Sequence, residues 1–342
     1  MLKYCTTLLR FFVTLQLLPA LESGEETLVG GQAVMEGVMM RTPHAWGIAV
    51  RNPSNEIVVH RESLERPSEK RKWLAWPLVR GIATLGQAMG LGFRALKFSA
   101  NVALDLPAEE GKQPGKKLEI TGWMAAVNVL FSLAFFIFMY KFVPLLAANQ
   151  LKQHFPIFSG QIAFNLVDGV IRIAIFLLFI WGISRFKDIH RVFEYHGSEH
   201  KTVFAFEDGK ELTAESVQQY STYHPRCGTS FLMTVMLISM AIYILVPVTT
   251  FWARFAVRIA LLPIILAVSY EMIRFAGKLQ RRAAEGKRQS GSALFLLLTR
   301  PGMWLQRITT QPPANAQVDC AIRALNEAME LEKTRGGELV IA

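Results

Sequence analysis

An α-helical polytopic membrane protein is what this sequence predicts, with about four transmembrane helices, a small cytoplasmic α/β insert and an N-terminal β-hairpin region. Three observations carry that expectation. Hydrophobic residues make up 51% of the 342-residue chain, and its mean hydropathy is +0.27, high for a water-soluble enzyme. The apolar residues gather into four long runs. Lysine and arginine are shared unequally among the connections, which orients those runs in a bilayer.

Residues 1–28 are an atypical N-terminal extension. Lys3 and Arg10 precede a short apolar stretch, Phe11–Leu21, that resembles a weak signal peptide. Cleavage there would export the basic region ahead of the first run, against the charge rule, so the extension reads as an interfacial segment or an upstream start. Residues 29–118 form a cytoplasmic or interfacial region. Within it Gly30–Arg41 is glycine-punctuated and lacks helical periodicity. Ile48–Val50 and Ile57–His60 flank Asn52-Pro53-Ser54-Asn55 and predict a β-hairpin. From Pro77 to Ala103 a helix is expected. Its apolar core between Arg80 and Arg94 is short for a span, and Gly86 and Gly90 permit close packing, so it lies at the interface or beneath the spans, with a fifth span as the alternative. Leu106–Lys117 is a polar linker.

Residues 119–184 carry the first two spans, Gly122–Tyr140 and Gly160–Ser184. Asp168 and Arg172 in the second are one helical turn apart and can pair. Residues 231–276 carry the other two, Phe231–Val248 and Phe255–Phe275. The last holds Arg258 and Glu271 towards its ends and Pro263 as a kink. Between the pairs lies an insert, residues 185–230, with Arg185, Lys187, Arg191, Lys201, Lys210 and Arg226. The C-terminal region, 277–342, follows Arg274 with Lys278, Arg281, Arg282, Lys287 and Arg288. The opposite connections are poor in lysine and arginine, with Lys141 and Lys152 in one and Arg254 in the other. The positive-inside rule therefore places the insert and both termini in the cytoplasm.

The net charge of +10 suits loops facing anionic lipid. No basic stripe interleaved with aromatics points to nucleic acid. Cys5, Cys227 and Cys320 are distant and odd in number, which argues against a disulfide framework. In the insert, Thr202–Phe206 reads as a short strand, Glu207-Asp208-Gly209 as a turn, and Thr213 as the cap of a helix over Ala214–Tyr220. Val318, Ile322, Leu325 and Met329 mark Val318–Leu331 as an amphipathic helix.

The insert holds the chemistry. His196-x-x-Glu199-His200 puts two imidazoles and a carboxylate on one helical face, and His224 and Cys227 follow. Neutral imidazole and thiolate are ligands for zinc and similar divalent metals. His196 and His200 are then ligands, His224 or Cys227 a third, and Glu199 the general base. If all four bind, the site is closed and structural. The plain alternative is a hydrogen-bonded loop without metal. Glu36 is a possible further ligand or a backbone-capping group, and Arg226 meets an anionic substrate or lipid phosphate. Tyr195 and Lys201 are near enough in sequence to assist.

At these residues the chain resembles a bacterial membrane-protein family, the YqhQ-like proteins, a domain of unknown function labelled a predicted metal-dependent enzyme. The resemblance rests on Gly30 to Arg41, Arg80-Gly81, Tyr195 to Lys201, His224 to Phe231 and Trp304 to Thr310, and runs from about Gly30 to Leu325. It departs at Ser198, where Ala is usual, and at Gln311-Pro312, where Glu-Pro is usual. The likeness to inverted-motif zinc peptidases covers five residues, and their distant glutamate ligand has no clear counterpart. The resemblance implies a multi-pass protein of the bacterial cytoplasmic membrane.

Two functions compete. One is a metal-dependent enzyme, a hydrolase with a cytoplasmic-face site acting on a membrane-proximal substrate. The other is a non-catalytic assembly or scaffold protein, meeting membrane-protein partners, whose His/Cys site is a structural metal or a hydrogen-bond network. A transporter ranks third, because the ligand-type residues lie outside the spans.

Overall fold

The computed structural model describes residues 29–65, 71–104, 122–224, 227–284 and 292–334. In chain order the elements are β1 (Gly30–Val34), β2 (Gly37–Arg41), β3 (Ala45–Arg51), β4 (Ile57–Ser63), α1 (Val79–Leu104), α2 (Gly122–Ile137), α3 (Val143–His154), α4 (Gln161–Ile183), α5 (Lys187–Glu207), α6 (Ala214–Gln218), α7 (Gly228–Leu245), α8 (Phe251–Ala260), α9 (Leu262–Ala284), α10 (Ser292–Thr309) and α11 (Asn315–Thr334). They form two compact units. One gathers residues 29–104, 186–224 and 306–334; the other gathers 122–185 and 227–305.

In the first unit β1 to β4 form an antiparallel meander. Side chains alternate across a strand, and here both faces are covered. Val38, Met40 and Ala49 pack against Tyr195 and Val203 of α5 and Ala321, Ala324 and Leu325 of α11. Met39, Ile48 and Val50 pack the other way, with Leu91 and Ala95 of α1. The expected hairpin is present as β3 and β4, with Arg51 opposite Ile57. Gly30–Arg41, unassigned by periodicity, forms a second hairpin, with Val34 opposite Gly37. The N-terminal region is thus a four-stranded sheet rather than a single hairpin.

Thr202–Phe206, read as a strand, is helix: α5 runs through to Glu207. Its β-branched residues cost a few tenths of a kcal/mol each in a helix, while the helix buries Val203 and Ala205 completely or nearly so. The turn holds, with Gly209 at φ 63, and Thr213 caps α6 by accepting from the Ser216 amide. The insert is therefore helical, not α/β. The helix expected from Pro77 to Ala103 and the amphipathic C-terminal helix are α1 and α11. The extension, the linker, Cys5 and Arg226 lie outside the described residues.

Among the described residues of the second unit three helices are long and apolar enough to cross a membrane: Leu130–His154, Gln161–Ile183 and Gly228–Leu245. A fourth candidate is the pair Phe251–Ala260 and Leu262–Phe275, bent by 49°. Pro263, lacking an N–H, sits just after the break, where a helix start needs none. The first run does not end at Tyr140 as expected. A π-helical turn, Phe138–Phe142, carries the first run into α3. Gly169 meets Met240 so closely that a Cβ there would lie 2.4 Å from the Met240 sulfur, which fits α4 against α7.

Candidate functional site

The first unit brings three of the insert's four histidines together. His196 and His200 lie one turn apart on α5, with ring centroids 4.4 Å apart. The His224 ring is 5.6 Å from that of His200. His224 sits on the loop after α6, and its backbone is held at two points. Its amide donates to Gln306 Oε1 and its carbonyl accepts from Gln306 Nε2, both at 2.8 Å. Its ring packs 4.4 Å from Phe204.

Two backbone carbonyls orient the α5 imidazoles. His200 Nδ1 lies 2.5 Å from the Thr222 oxygen and His196 Nδ1 lies 2.8 Å from the Thr309 oxygen. A carbonyl only accepts, so each Nδ1 carries the proton and each neutral ring keeps its lone pair on Nε2. Metal-binding histidines are oriented in this way. His200 is 2% exposed, and its buried Nε2 has no hydrogen-bond partner among the described residues. Glu199 Oε2 stands 3.5 Å from it. Burial pushes the His224 imidazole below its usual range, although the Glu199 carboxylate opposes this.

Two glycines make the site possible. A Cβ on Gly31 of β1 would lie 2.6 Å from Glu199 Cγ, so glycine leaves room for that carboxylate. A Cβ on Gly197 would lie 2.1 Å from the Gln311 oxygen. Glycine there lets the 309–311 segment lie on α5, where the Gln311 amide donates to the Phe193 oxygen at 2.9 Å. That approach delivers the Thr309 carbonyl to His196.

The other singled-out residues make contacts of their own. Lys201 donates to the Gln218 and Tyr220 oxygens at 2.7 and 2.6 Å and so ties α6 and its following loop to α5; burial lowers its ammonium from the usual range. Glu36, in a left-handed conformation at φ 55, takes Arg191 Nη2 at 2.7 Å. Tyr195 Oη is 3.4 Å from the same carboxylate, and burial raises its phenol. Cys320 lies in the core against the sheet. Cys227 begins the second stretch of the second unit as the N-cap of α7, its sulfur accepting from the Thr229 amide at 3.4 Å. Sequence reasoning missed Thr222, Thr309 and Gln306, two of which act through the backbone. The quoted string Trp304 to Thr310 contained the only signal for Gln306 and Thr309.

Residues 76–331, which include α1 and every segment of this site except Gly31, match the model of a family described as "Protein of unknown function (DUF1385)". The chain belongs to that family. It is also 33% identical over 310 residues to "Uncharacterized protein YqhQ" of Bacillus subtilis (strain 168), covering 89% of this chain and 92% of that relative. No solved structure matches the chain significantly. The YqhQ-like resemblance thus extends over most of the length, well beyond the histidine motif.

Proposed function

We propose that this chain is a membrane-embedded metal-dependent enzyme, a hydrolase whose site faces the cytoplasm. One observation carries the reading: two imidazoles on one helical face have their Nδ1 atoms fixed by carbonyls, leaving the buried His200 Nε2 without a hydrogen-bond partner among the described residues. An aromatic nitrogen buried in that state is costly unless something binds it. His196 and His200 supply two nitrogen donors, and His224 or Cys227 the third. Nitrogen donors with or without a thiolate suit zinc.

A divalent cation there would polarise a bound carbonyl or phosphoryl group and make water more acidic. Glu199 would accept the proton of the attacking water, its carboxylate kept against His200 by the space over Gly31. The bilayer is the surrounding partner in this reading. The long apolar helices and the basic insert support a multi-pass protein of the bacterial cytoplasmic membrane with both termini inside.

A scaffold with a closed structural site is the second reading, favoured by the hydrogen bonds that hold both histidine-bearing segments, α5 and the His224 loop. Elemental analysis of detergent-purified protein decides whether metal is present: near one zinc per chain is expected in the wild type and loss in His196→Ala. Turnover of activated acyl and phosphoryl esters then separates the readings. Glu199→Gln should abolish turnover while keeping metal. Metal retention with no turnover in either protein would favour the scaffold.

A further inference from the structure

The second unit buries four basic side chains around a single carboxylate. Asp168 is 1% exposed, and Lys141, Arg172, Arg254 and Arg258 are each at most 7% exposed. Asp168 spends one oxygen on Arg172 and the other on Arg258 Nη1 at 2.5 Å. Arg172 Nη1 also donates to Ser239 at 2.7 Å, and Arg258 Nη2 to Asn165 at 3.2 Å. Lys141 reaches the Tyr243 hydroxyl at 3.0 Å. The Tyr243 ring lies 5.1 to 5.4 Å from all three of these cations.

Those contacts do not balance the charge. Like charges this close repel strongly when shielded from water. Arg172 Nε is buried with no hydrogen-bond partner among the described residues. Arg254 spends Nε on the Val248 oxygen at 2.7 Å and stacks 3.7 Å over Phe164, and its terminal nitrogens donate to no described residue. Planar guanidinium forks with spare donors match an oxyanion. Ionised groups among apolar helices are functional candidates by default.

We propose that this cluster binds a phosphate-type oxyanion, free or as the headgroup phosphate of a lipid, with Arg254 as its outermost donor. The sequence foresaw only the Asp168–Arg172 pair. The proposal is independent of the histidine site.

Titration calorimetry on the detergent-solubilised full chain tests it, using inorganic phosphate, dioctanoyl phosphatidic acid, and dioctanoyl glycerol as the uncharged control. Saturable binding of phosphate alone identifies a free ion, and binding of phosphatidic acid alone identifies a headgroup; both support the site. Arg254→Gln should weaken binding roughly tenfold or more, the usual loss for a charged hydrogen bond. Asp168→Asn should tighten it, because the competing carboxylate charge is gone. A cluster that merely clamps α4 to α8 would lose stability in Asp168→Asn without gaining affinity. The proposal is overturned if neither phosphate compound binds the wild type, if dioctanoyl glycerol binds equally, or if Arg254→Gln binds as the wild type does. Should Arg254→Gln not fold, Asp168→Asn decides: tighter binding supports the site, and unchanged or weaker binding overturns it.

Discussion

The Cα of Gly197 faces the Gln311 carbonyl so closely that a side-chain carbon at 197 would lie 2.1 Å from that oxygen. Alanine must therefore push the 309–311 segment off α5. Overpacking against backbone costs about 1–3 kcal/mol, so Gly197→Ala should lower the unfolding temperature by several degrees. It should also speed hydrogen exchange at the Gln311 amide, which donates to Phe193. Ser198→Ala is the control. Among the described residues its hydroxyl bonds only the Tyr195 oxygen of its own turn, so the loss should stay near 1 kcal/mol with Gln311 protection unchanged.

Gln306 reproduces, with one side chain, the paired hydrogen bonds that a neighbouring strand would give His224. Gln306→Leu removes both at once in a buried setting. A cost of about 2–4 kcal/mol is expected, with faster exchange at the His224 amide. Gln306→Glu keeps the acceptor for the amide but sets a carboxylate against the His224 carbonyl, and should be no better. Equal stability of wild type and Gln306→Leu would refute the clamp.

These contacts mark the limit of what was legible in the sequence. His196 and His200 stood out because a one-turn spacing is itself a chemical statement. α1 and α11 were readable from spacing and composition, and β3–β4 from the turn between them. The β1–β2 hairpin was not, because α1 covers one face of the sheet and α5 and α11 the other, which erases the alternation of polar and apolar residues. Gly37, whose Cβ would lie 2.2 Å from the Ala49 oxygen, looked like punctuation and is a packing requirement. The strand expected at Thr202–Phe206 failed because local β-propensity yields to tertiary burial. Thr222 and Thr309 contribute carbonyl oxygens, which no residue type announces.

Glu332 ties the end of α11 to the β2–β3 turn. It accepts from Thr42 Oγ1 at 2.7 Å, from the His44 amide at 2.8 Å, and meets His44 Nδ1 at 2.7 Å. Burial alone would raise this carboxyl, but those hydrogen bonds outweigh it and hold it below the usual carboxylate range. A depressed folded-state value means stability that is fully present above the unfolded-state value of about 4.3 and is lost as pH falls through the lower, folded one. Glu332→Gln should therefore unfold at a lower temperature than wild type at pH 7, and the gap should shrink as pH drops below about 4. A gap that stays constant from pH 7 to pH 3 would contradict this account.

Metal removal is the sharpest check on the histidine site. A cation that binds only the folded chain stabilises it by about 2.7 kcal/mol when present at a hundred times its dissociation constant. Wild-type protein purified with zinc should therefore lose several degrees of thermal stability on chelation and regain them when zinc is restored. His196→Ala and His200→Ala should each remove that response, since each deletes a donor whose Nδ1 is already committed to a carbonyl. Under the hydrolase reading Glu199→Gln should keep it, since that reading makes the carboxylate a base and not a ligand. Three outcomes separate the readings. A zinc response lost in both alanine variants and kept in Glu199→Gln supports a metal site with a free base. A response lost in Glu199→Gln as well makes Glu199 a ligand. Indifference of the wild type to chelation, with no metal found on elemental analysis, leaves the imidazoles as hydrogen-bonding struts between α5, the Thr222 loop and the Thr309 carbonyl, and the hydrolase reading falls.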